Sequence, residues 1–147
     1  MADTESIPRE RFLRIAEFRA NLRAFLRHNE RSCREWGLTP QRYLLLLAIK
    51  GAPDGSERMS VTELADRLQL SRNTVTELSA RAEEAGLVVR EPSTIDQRVV
   101  YLRVTPEGER RLSGVVRESD GYRNELTKAF EALTESFRAS LHRRGRG

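Results

Sequence analysis

The chain has 147 residues, of which 38% are hydrophobic and 33% charged, a composition typical of one globular helical domain with a real core. No apolar run approaches the ~20 residues of a membrane span, and a single cysteine excludes an internal disulfide framework. The N-terminus lacks an apolar stretch of the signal-peptide type, so we expect a cytoplasmic protein with no membrane partner.

The first two predicted elements are helices. Apolar residues recur at helical spacing from about Arg9 to Glu35, and Gly37 ends this helix. Thr39 and Pro40 form a cap and first-turn pair for a second helix through Ile49. The expected apolar stripe of the first helix is Phe12, Ile15, Leu22, Phe25, Leu26 and Cys33. The expected buried residues of the second are Tyr43, Leu44, Leu47 and Ala48.

Two short amphipathic helices joined by a tight turn follow. Ser60 can cap the first, and Glu63 can reach back to complete a capping box. After a turn at Gln69 and Leu70, Ser71 can cap the second helix. Gly86 suits the end of this helix. The expected buried positions are Leu64, Ala65 and Leu68 in the first helix, and Val75, Leu78, Ala82 and Ala85 in the second.

The second of these helices leaves a row of polar side chains outside its packed face. These side chains carry hydrogen-bond donors and acceptors, which suit the base edges of DNA. The alternative is that several of them only solvate the helix. The projecting residues that we predict to contact DNA are Ser71, Arg72, Asn73, Thr74, Thr76 and Glu77.

Two strands and a long loop come next and predict a hairpin. Leu87 to Glu91 and Val99 to Val104 have strand composition, and turn formers open the loop between them. Arg98 lies where the loop re-enters the second strand, and it is the further residue predicted to contact DNA. Asp96 can brace the loop or orient the guanidinium of Arg98 for a narrow minor groove. The alternative for this pair is an ordinary surface ion pair. Helix, turn, helix and hairpin together predict a winged helix-turn-helix.

The C-terminal part is again helical. Thr105 and Pro106 start a helix that reaches about Glu118, and a break at Asp120 and Gly121 precedes a last helix. This helix runs from Tyr122 to Leu141, with an apolar stripe of Leu126, Phe130, Leu133 and Phe137. The two terminal helical arms are too apolar to be free in water, which predicts packing against a second subunit in a homodimer.

The end of the hairpin resembles a family signature. Asp96, Arg98, Val104, Thr105 and Gly108 look like the D-x-R, five residues, L-T-x-x-G motif of the MarR family of bacterial regulators, with Val104 in place of leucine. The similarity extends back through SVTELADRLQLSRNTVTEL and AGLVVRE, and loosely to the flanking helices. It implies a mainly α fold with a small β-hairpin wing. The implied division is an N-terminal dimerisation helix (1–38), a DNA-binding winged helix-turn-helix (39–104), and C-terminal dimerisation helices with a basic tail (105–147).

The resemblance also implies a function. Members of the family bind a pseudo-palindromic operator as dimers, usually repress, and often release DNA when a small molecule or an oxidant reaches the protein. A dimer would place two recognition helices in successive major grooves about 34 Å apart. By position in the motif, Arg72, Asn73, Thr74 and Glu77 would meet the groove. Arg72 would contact guanine or a phosphate, Asn73 adenine, and Thr74 a thymine methyl.

Three features depart from the family pattern. Residues 59–104 contain six arginines and seven carboxylates, so this segment has a net charge of −1 although the chain has +4. Glu77 stands where relatives commonly have a basic residue, which suggests an altered operator preference. Ser79 and Ala82 are small where larger apolar residues are usual, which allows either closer helix approach or a looser core. The low charge keeps a second function open, a winged-helix protein-interaction module with weak or no specific DNA binding.

Candidate effector residues are less distinctive. Phe25, His28, Trp36 and Tyr43 suit a small aromatic or phenolic compound, although aromatics at helical spacing are more often core residues. Cys33 is an oxidant sensor or, as is more usual on an apolar face, inert packing.

The remaining classes of function have little support in the sequence. The two histidines and the cysteine lack the spacing of metal ligands, so we expect no metal site. No motif for phosphate binding or nucleophilic catalysis is present, so we expect neither a cofactor nor enzymatic activity.

Overall fold

Nine elements follow one another in the computed structural model, which describes residues 6–144 and the side chains through residue 142. They are α1 (Arg9–Glu35), α2 (Pro40–Lys50), β1 (Arg58–Ser60), α3 (Val61–Leu68), α4 (Arg72–Glu84), β2 (Val88–Pro92), β3 (Val100–Val104), α5 (Pro106–Glu118) and α6 (Asp120–Arg144). The predicted mainly α fold with a winged helix-turn-helix is confirmed. Among the described residues, no helix has the length and apolar character to cross a membrane. The end of the predicted basic tail, residues 145–147, lies outside the described residues.

The chain forms two compact units. The winged-helix unit is Glu30–Arg117, and the arm unit combines Met1–Asn29 with Glu118–Gly147. Helices α1 and α5 each contribute residues to both units.

The predicted helix caps are confirmed in the winged-helix unit. The hydroxyl oxygens of Thr39, Ser60 and Ser71 accept hydrogen bonds from backbone N–H groups three residues on, at 3.1, 3.2 and 3.1 Å. The turn between α3 and α4 requires a left-handed residue, and Gln69 supplies it with φ 54°. Gly86 follows α4 with φ 75°, the conformation expected of a glycine at a helix C-terminus.

The buried face of α2 differs from the prediction. Tyr43, Leu45, Leu46 and Ile49 are buried, whereas Leu44 and Leu47 are 48% and 40% exposed. The sequence of α2 contains four consecutive leucines, so helical spacing alone is compatible with two faces. The contacts of α2 with α3, α4, β1 and β3 decide which face is buried.

A second correction concerns the end of α4. Val75, Leu78 and Ala82 are buried as predicted, but Ala85 is exposed. Ala85 is the C-cap of the helix, so the chain has already begun to leave the packed face at this position.

A short antiparallel sheet completes the winged-helix unit. Its strand order is β1-β3-β2, so β3 lies in the centre, and Leu102 pairs with Met59 on one side and with Arg90 on the other. Leu102 is 2% exposed, so the central strand closes over the core. Strand β1 was not predicted, because it has only three residues and is defined by its pairing with a distant part of the chain.

The arm unit leaves much of its apolar stripe uncovered. The rings of Phe18 and Phe130 pack at a centroid distance of 5.8 Å. The exposed large apolar residues of this unit are Ile7, Phe12, Leu13, Ile15, Leu26, Tyr122, Phe130, Phe137 and Leu141. The predicted break between the last two helices is present, but it falls at Ser119, just before Asp120 begins α6.

Candidate nucleic-acid interface

Helix α4 has one face packed in the core and one exposed polar face. Its buried residues include Ser79 and Ala82, at 2% and 0% exposed. The hydroxyl of Ser79 has no hydrogen-bond partner within the part of the chain that the structure describes. Every residue of α4 and its cap that the sequence predicted to contact DNA is exposed. These residues are Ser71, Arg72, Asn73, Thr74, Thr76 and Glu77.

The start of α4 shows which of these side chains are already engaged. The Ser71 oxygen accepts from the Thr74 N–H at 3.1 Å, and the two hydroxyl oxygens lie 2.8 Å apart in a hydrogen bond. The hydroxyl of Thr74 therefore belongs to the cap, and its methyl group is the part left for a ligand. No described residue offers a hydrogen bond or an ion pair to the side chains of Arg72 and Asn73. Together with the positive end of the helix dipole, they form a surface suited to an anion.

The tip of the wing, residues 93–99, is held by hydrogen bonds from two side chains. Ser93 Oγ accepts from the N–H groups of Ile95 and Asp96, both at 3.2 Å. Asp96 Oδ1 accepts from Arg98 N at 3.0 Å and from Arg98 Nε at 3.3 Å. The side chain of Arg98 is nevertheless 92% exposed. Asp96 thus fixes the backbone of the turn and directs the guanidinium of Arg98 outward while leaving most of it accessible.

A cluster of charges at the base of the wing was missed by the sequence reasoning. Glu91 on β2 binds Arg103 on β3 at 2.8 Å and Arg58 on β1 at 3.1 Å. The Arg103 hydrogen bond is the main cause that lowers the pKa of Glu91 below its ordinary value. Arg58 and Arg103 are direct partners in the sheet, so without Glu91 two like charges would oppose each other across the strands. The register of the β2–β3 hairpin brings Glu91 and Arg103 together, and the pairing of the unpredicted strand β1 adds Arg58.

The family-like motif at the end of the wing has a clear structural role. Thr105 Oγ1 donates to the carbonyl of Gly86 at 2.6 Å and accepts from the N–H of Gly108 at 3.1 Å. The Thr105 N–H donates to the Leu87 carbonyl at 3.0 Å. These bonds join the end of α4, the end of the wing and the start of α5. We call this arrangement the Thr105 junction.

An open cleft of about 620 Å³ lies between α3, α4 and the two long strands of the wing. Thr76 of α4 and Arg98 of the wing both line it, so two of the predicted contact residues face one space. Arg90 also lines the cleft, but Glu83 binds its guanidinium at 3.2 Å. Carboxylates therefore accompany the cations of this surface, in agreement with the low net charge of the segment.

The aromatic residues proposed for an effector pocket all pack against neighbours in their own units. In the arm unit, His28 stacks on Tyr122 at a centroid distance of 4.1 Å and bonds the Glu118 carbonyl at 2.9 Å, and Arg123 lies 5.8 Å from the ring of Phe25. In the winged-helix unit, Arg110 lies 5.6 Å from the ring of Trp36. Tyr43 is 4% exposed and belongs to the core.

Cys33 is buried and has a weakly acidic thiol. Burial, followed by the nearby Glu30 carboxylate, raises the pKa of Cys33 from 9.0 to about 11. Since the thiolate is the reactive form, this environment favours an inert packing role over oxidant sensing. Within the described residues, no three side chains of metal-ligand type come together.

Comparisons with known proteins agree with this geometry. A sequence model described as the MarR family matches residues 36–111, just over half of the chain. The HTH-type transcriptional regulator YsmB of Bacillus subtilis is 30% identical over 69% of this chain and 64% of its own length. The HTH-type transcriptional repressor MdtR of the same organism is 32% identical over 58% of this chain and 52% of its own length. The matches thus span less than two thirds of either relative.

The fold is also similar to that of a solved structure. Overoxidized AbfR bound to DNA is similar with a TM-score of 0.57 and 25% identity, over 81% of this chain and 85% of that chain. The family model, the two relatives and the solved structure all agree with the family resemblance of the motif at the Thr105 junction. The chain therefore belongs to the MarR family of transcriptional regulators.

Proposed function

We propose that the chain is a DNA-binding repressor that binds a pseudo-palindromic operator as a homodimer and releases it when a small molecule binds. The observation that carries this proposal is the pairing of two exposed polar elements on one unit. Helix α4 presents Arg72 and Asn73 at its N-terminus, and the wing presents Arg98 on a braced turn. We place this activity in the cytoplasm.

The two elements suit the two grooves of a duplex. An exposed helix with guanidinium, amide and hydroxyl groups matches the donor and acceptor pattern of the major groove. A hairpin that holds one arginine outward matches the negative potential of a narrow minor groove. AbfR, which shares the fold, has been solved bound to DNA, and MdtR is a repressor by name.

The proposal of a homodimer rests on the arm unit. Phe12, Ile15, Phe130 and Phe137 are 57%, 41%, 55% and 45% exposed on its helices. Large apolar side chains at helical spacing favour burial against another helical surface, and a second copy of the same unit is the simplest partner. Sedimentation velocity should give the mass of two 16.9 kDa chains. A monomer at micromolar concentration would contradict this part of the proposal.

We test the operator-binding function by fluorescence anisotropy. The duplexes would carry DNA from upstream of the gene itself, and the titrations would be repeated at several salt concentrations beside a scrambled duplex. Arg98→Ala should weaken binding about tenfold or more, because it removes a charged groove contact. The matched control is Arg23→Ala, which removes the same charge from an exposed position in the arm unit. Equal affinity of Arg98→Ala and Arg23→Ala would refute the proposed role of the wing.

Release by a small molecule is tested separately. A panel of phenolic and aromatic acids should include compounds that raise the Tm of the protein and lower its affinity for the operator. Phe25 and His28 belong to the arm unit, whereas Trp36 and Tyr43 belong to the winged-helix unit. Single substitutions at Phe25 and at Trp36 would therefore assign the response to one unit. A panel that shifts neither the Tm nor the DNA affinity would count against an effector of this class.

A second candidate function is a protein-interaction module. The observation that favours it is the pairing of Arg90 with Glu83, of Arg98 with Asp96, and of two further arginines with Glu91. Such pairing lowers the positive potential that nonspecific DNA binding needs. Absence of binding to any duplex, in wild type and Arg98→Ala alike, would favour this function.

A further inference from the structure

The tip of the wing carries a large apolar side chain that the proposed function does not use. Ile95 is 96% exposed, the highest value among the exposed large hydrophobic residues of the described chain. Its neighbours Thr94 and Gln97 are exposed and polar, so nothing in the tip shields it. Single exposed apolar residues are common on surfaces. Ile95 is distinguished by the hydrogen-bonded turn that carries it and by the exposed Arg98 three residues away.

The backbone under Ile95 is fixed before any partner arrives. Its N–H donates to Ser93 Oγ at 3.2 Å, and the Asp96 N–H donates to the same oxygen. The Val99 N–H donates to the Asp96 carbonyl, and the Ser93 N–H donates to the Val99 carbonyl, both at 3.0 Å. A β-branched side chain also has few rotamers. The entropy lost when Ile95 becomes buried in a partner is therefore small.

The surroundings of Ile95 indicate the chemistry of that partner. Arg98 lies three residues away, 92% exposed, on the same braced turn. A single apolar side chain is far too small for a stable protein interface, which needs an area on the order of 1,000 Å². The combination of a cation with one apolar side chain fits a recess that is both anionic and lined by carbon. The minor groove of DNA has this character, because phosphates flank it and deoxyribose carbons form its walls.

We propose that Ile95 enters the minor groove beside Arg98 and favours a pyrimidine–purine step there. Apolar wedges of this kind partly unstack base steps, and TA and CA/TG steps open most readily. Ile95 is thus a specificity-determining residue that reads the flexibility of the DNA rather than its hydrogen-bonding pattern. This inference rests on the proposed operator-binding function.

The test combines affinity, salt dependence and sequence selection on the operator. Ile95→Ser should weaken binding about tenfold, because the apolar contact is lost. It should leave the slope of log affinity against log salt unchanged, whereas Arg98→Ala should make that slope shallower by about 1 per subunit. Ile95→Val, the matched control, should weaken binding clearly less than Ile95→Ser, since it loses only one methylene. Ile95 and Arg98 are both exposed, so all of these variants should keep the Tm of wild type.

Selection from a library randomised at the outer positions of the operator gives the second readout. Wild type should enrich TA or CA/TG steps where the wing lies, and Ile95→Ser should lose that enrichment while keeping the central sequence. The inference is overturned if wild type and Ile95→Ser bind the operator within twofold of each other and select the same outer steps. Failure of wild type to bind any duplex would instead refute the proposed function, and this inference would fall with it.

Discussion

Gly108→Ala is the substitution that best tests our account of the Thr105 junction. A Cβ at this position would overlap the carbonyl oxygen of Leu87 and would lie 2.8 Å from Cγ1 of Val104. The carbonyl is backbone and accepts the hydrogen bond of the Thr105 N–H, so it cannot move without breaking that bond. The added methyl group must therefore shift either the start of α5 or the segment that joins α4 to β2.

The expected cost follows from three contributions. Overpacking of this kind costs about 1–3 kcal/mol, and the weakened hydrogen bond adds about 1 kcal/mol. Alanine has a higher helix propensity than glycine by up to about 1 kcal/mol, and Gly108 lies in the first turn of α5, so this gain offsets part of the loss. The free energy of unfolding should fall by about 2 kcal/mol, which lowers the Tm by about 4–8 °C in a chain of this size.

Urea denaturation followed by circular dichroism measures this effect, and Gly121→Ala is the matched control. Gly121 also lies near the start of a helix, and a Cβ there would meet no atom within 4 Å. The control should be as stable as wild type, or more stable by up to about 1 kcal/mol. If Gly108→Ala were as stable as Gly121→Ala, the junction would be loosely packed and our reading of the motif would be refuted.

Four further predictions concern other parts of the chain. The Cys33 thiol should react with a thiol reagent at pH 7 only as fast as the protein unfolds. Folding raises the pKa of the Cys33 thiol from 9.0 to about 11, so the stability that the neutral thiol contributes is present below pH 9 and is lost between pH 9 and 11. Urea titrations of Cys33→Ala should not show this loss. Glu77→Ala should alter the bases selected from a randomised operator, and an unchanged preference would remove Glu77 from the readout. A Cβ at Gly114 would overlap the indole of Trp36, so Gly114→Ala should lower the Tm by several degrees and shift the emission of the single tryptophan. Native emission and an unchanged Tm would show that the indole can move without cost.

Local signals in the sequence were sufficient to predict most elements of the winged-helix unit. Capping hydroxyls at Thr39, Ser60 and Ser71 depend only on residues three positions on, so the helix starts they predict are confirmed. The exposed face of α4 was predictable for a similar reason, because the spacing of its apolar residues determines which residues are left outside the packed face. The roles predicted for the exposed residues in DNA binding stay predictions.

Two of the errors, the buried face of α2 and the missed strand β1, share one physical cause, which is that distant contacts decide them. The face of α2 is selected by α3, α4 and the sheet among four equivalent leucines. Strand β1 exists because it pairs with β3 more than forty residues later, and the ion pair of Arg58 with Glu91 depends on that pairing. Neither hydrophobic period nor composition within a short window carries this information.

The distribution of charge in the winged-helix unit sets how it would recognise DNA. Arg58 and Arg103 neutralise Glu91 and hold the strands together, so they stabilise the wing rather than attract phosphates. Arg72 has no ion-pair partner among the described residues, and Arg98 keeps most of its surface free beside Asp96. With few cations available, weak nonspecific binding is expected, and discrimination must come from how α4 and the wing fit the two grooves. Under the proposed function, operator binding would therefore depend more on the geometry of the wing than on the total charge.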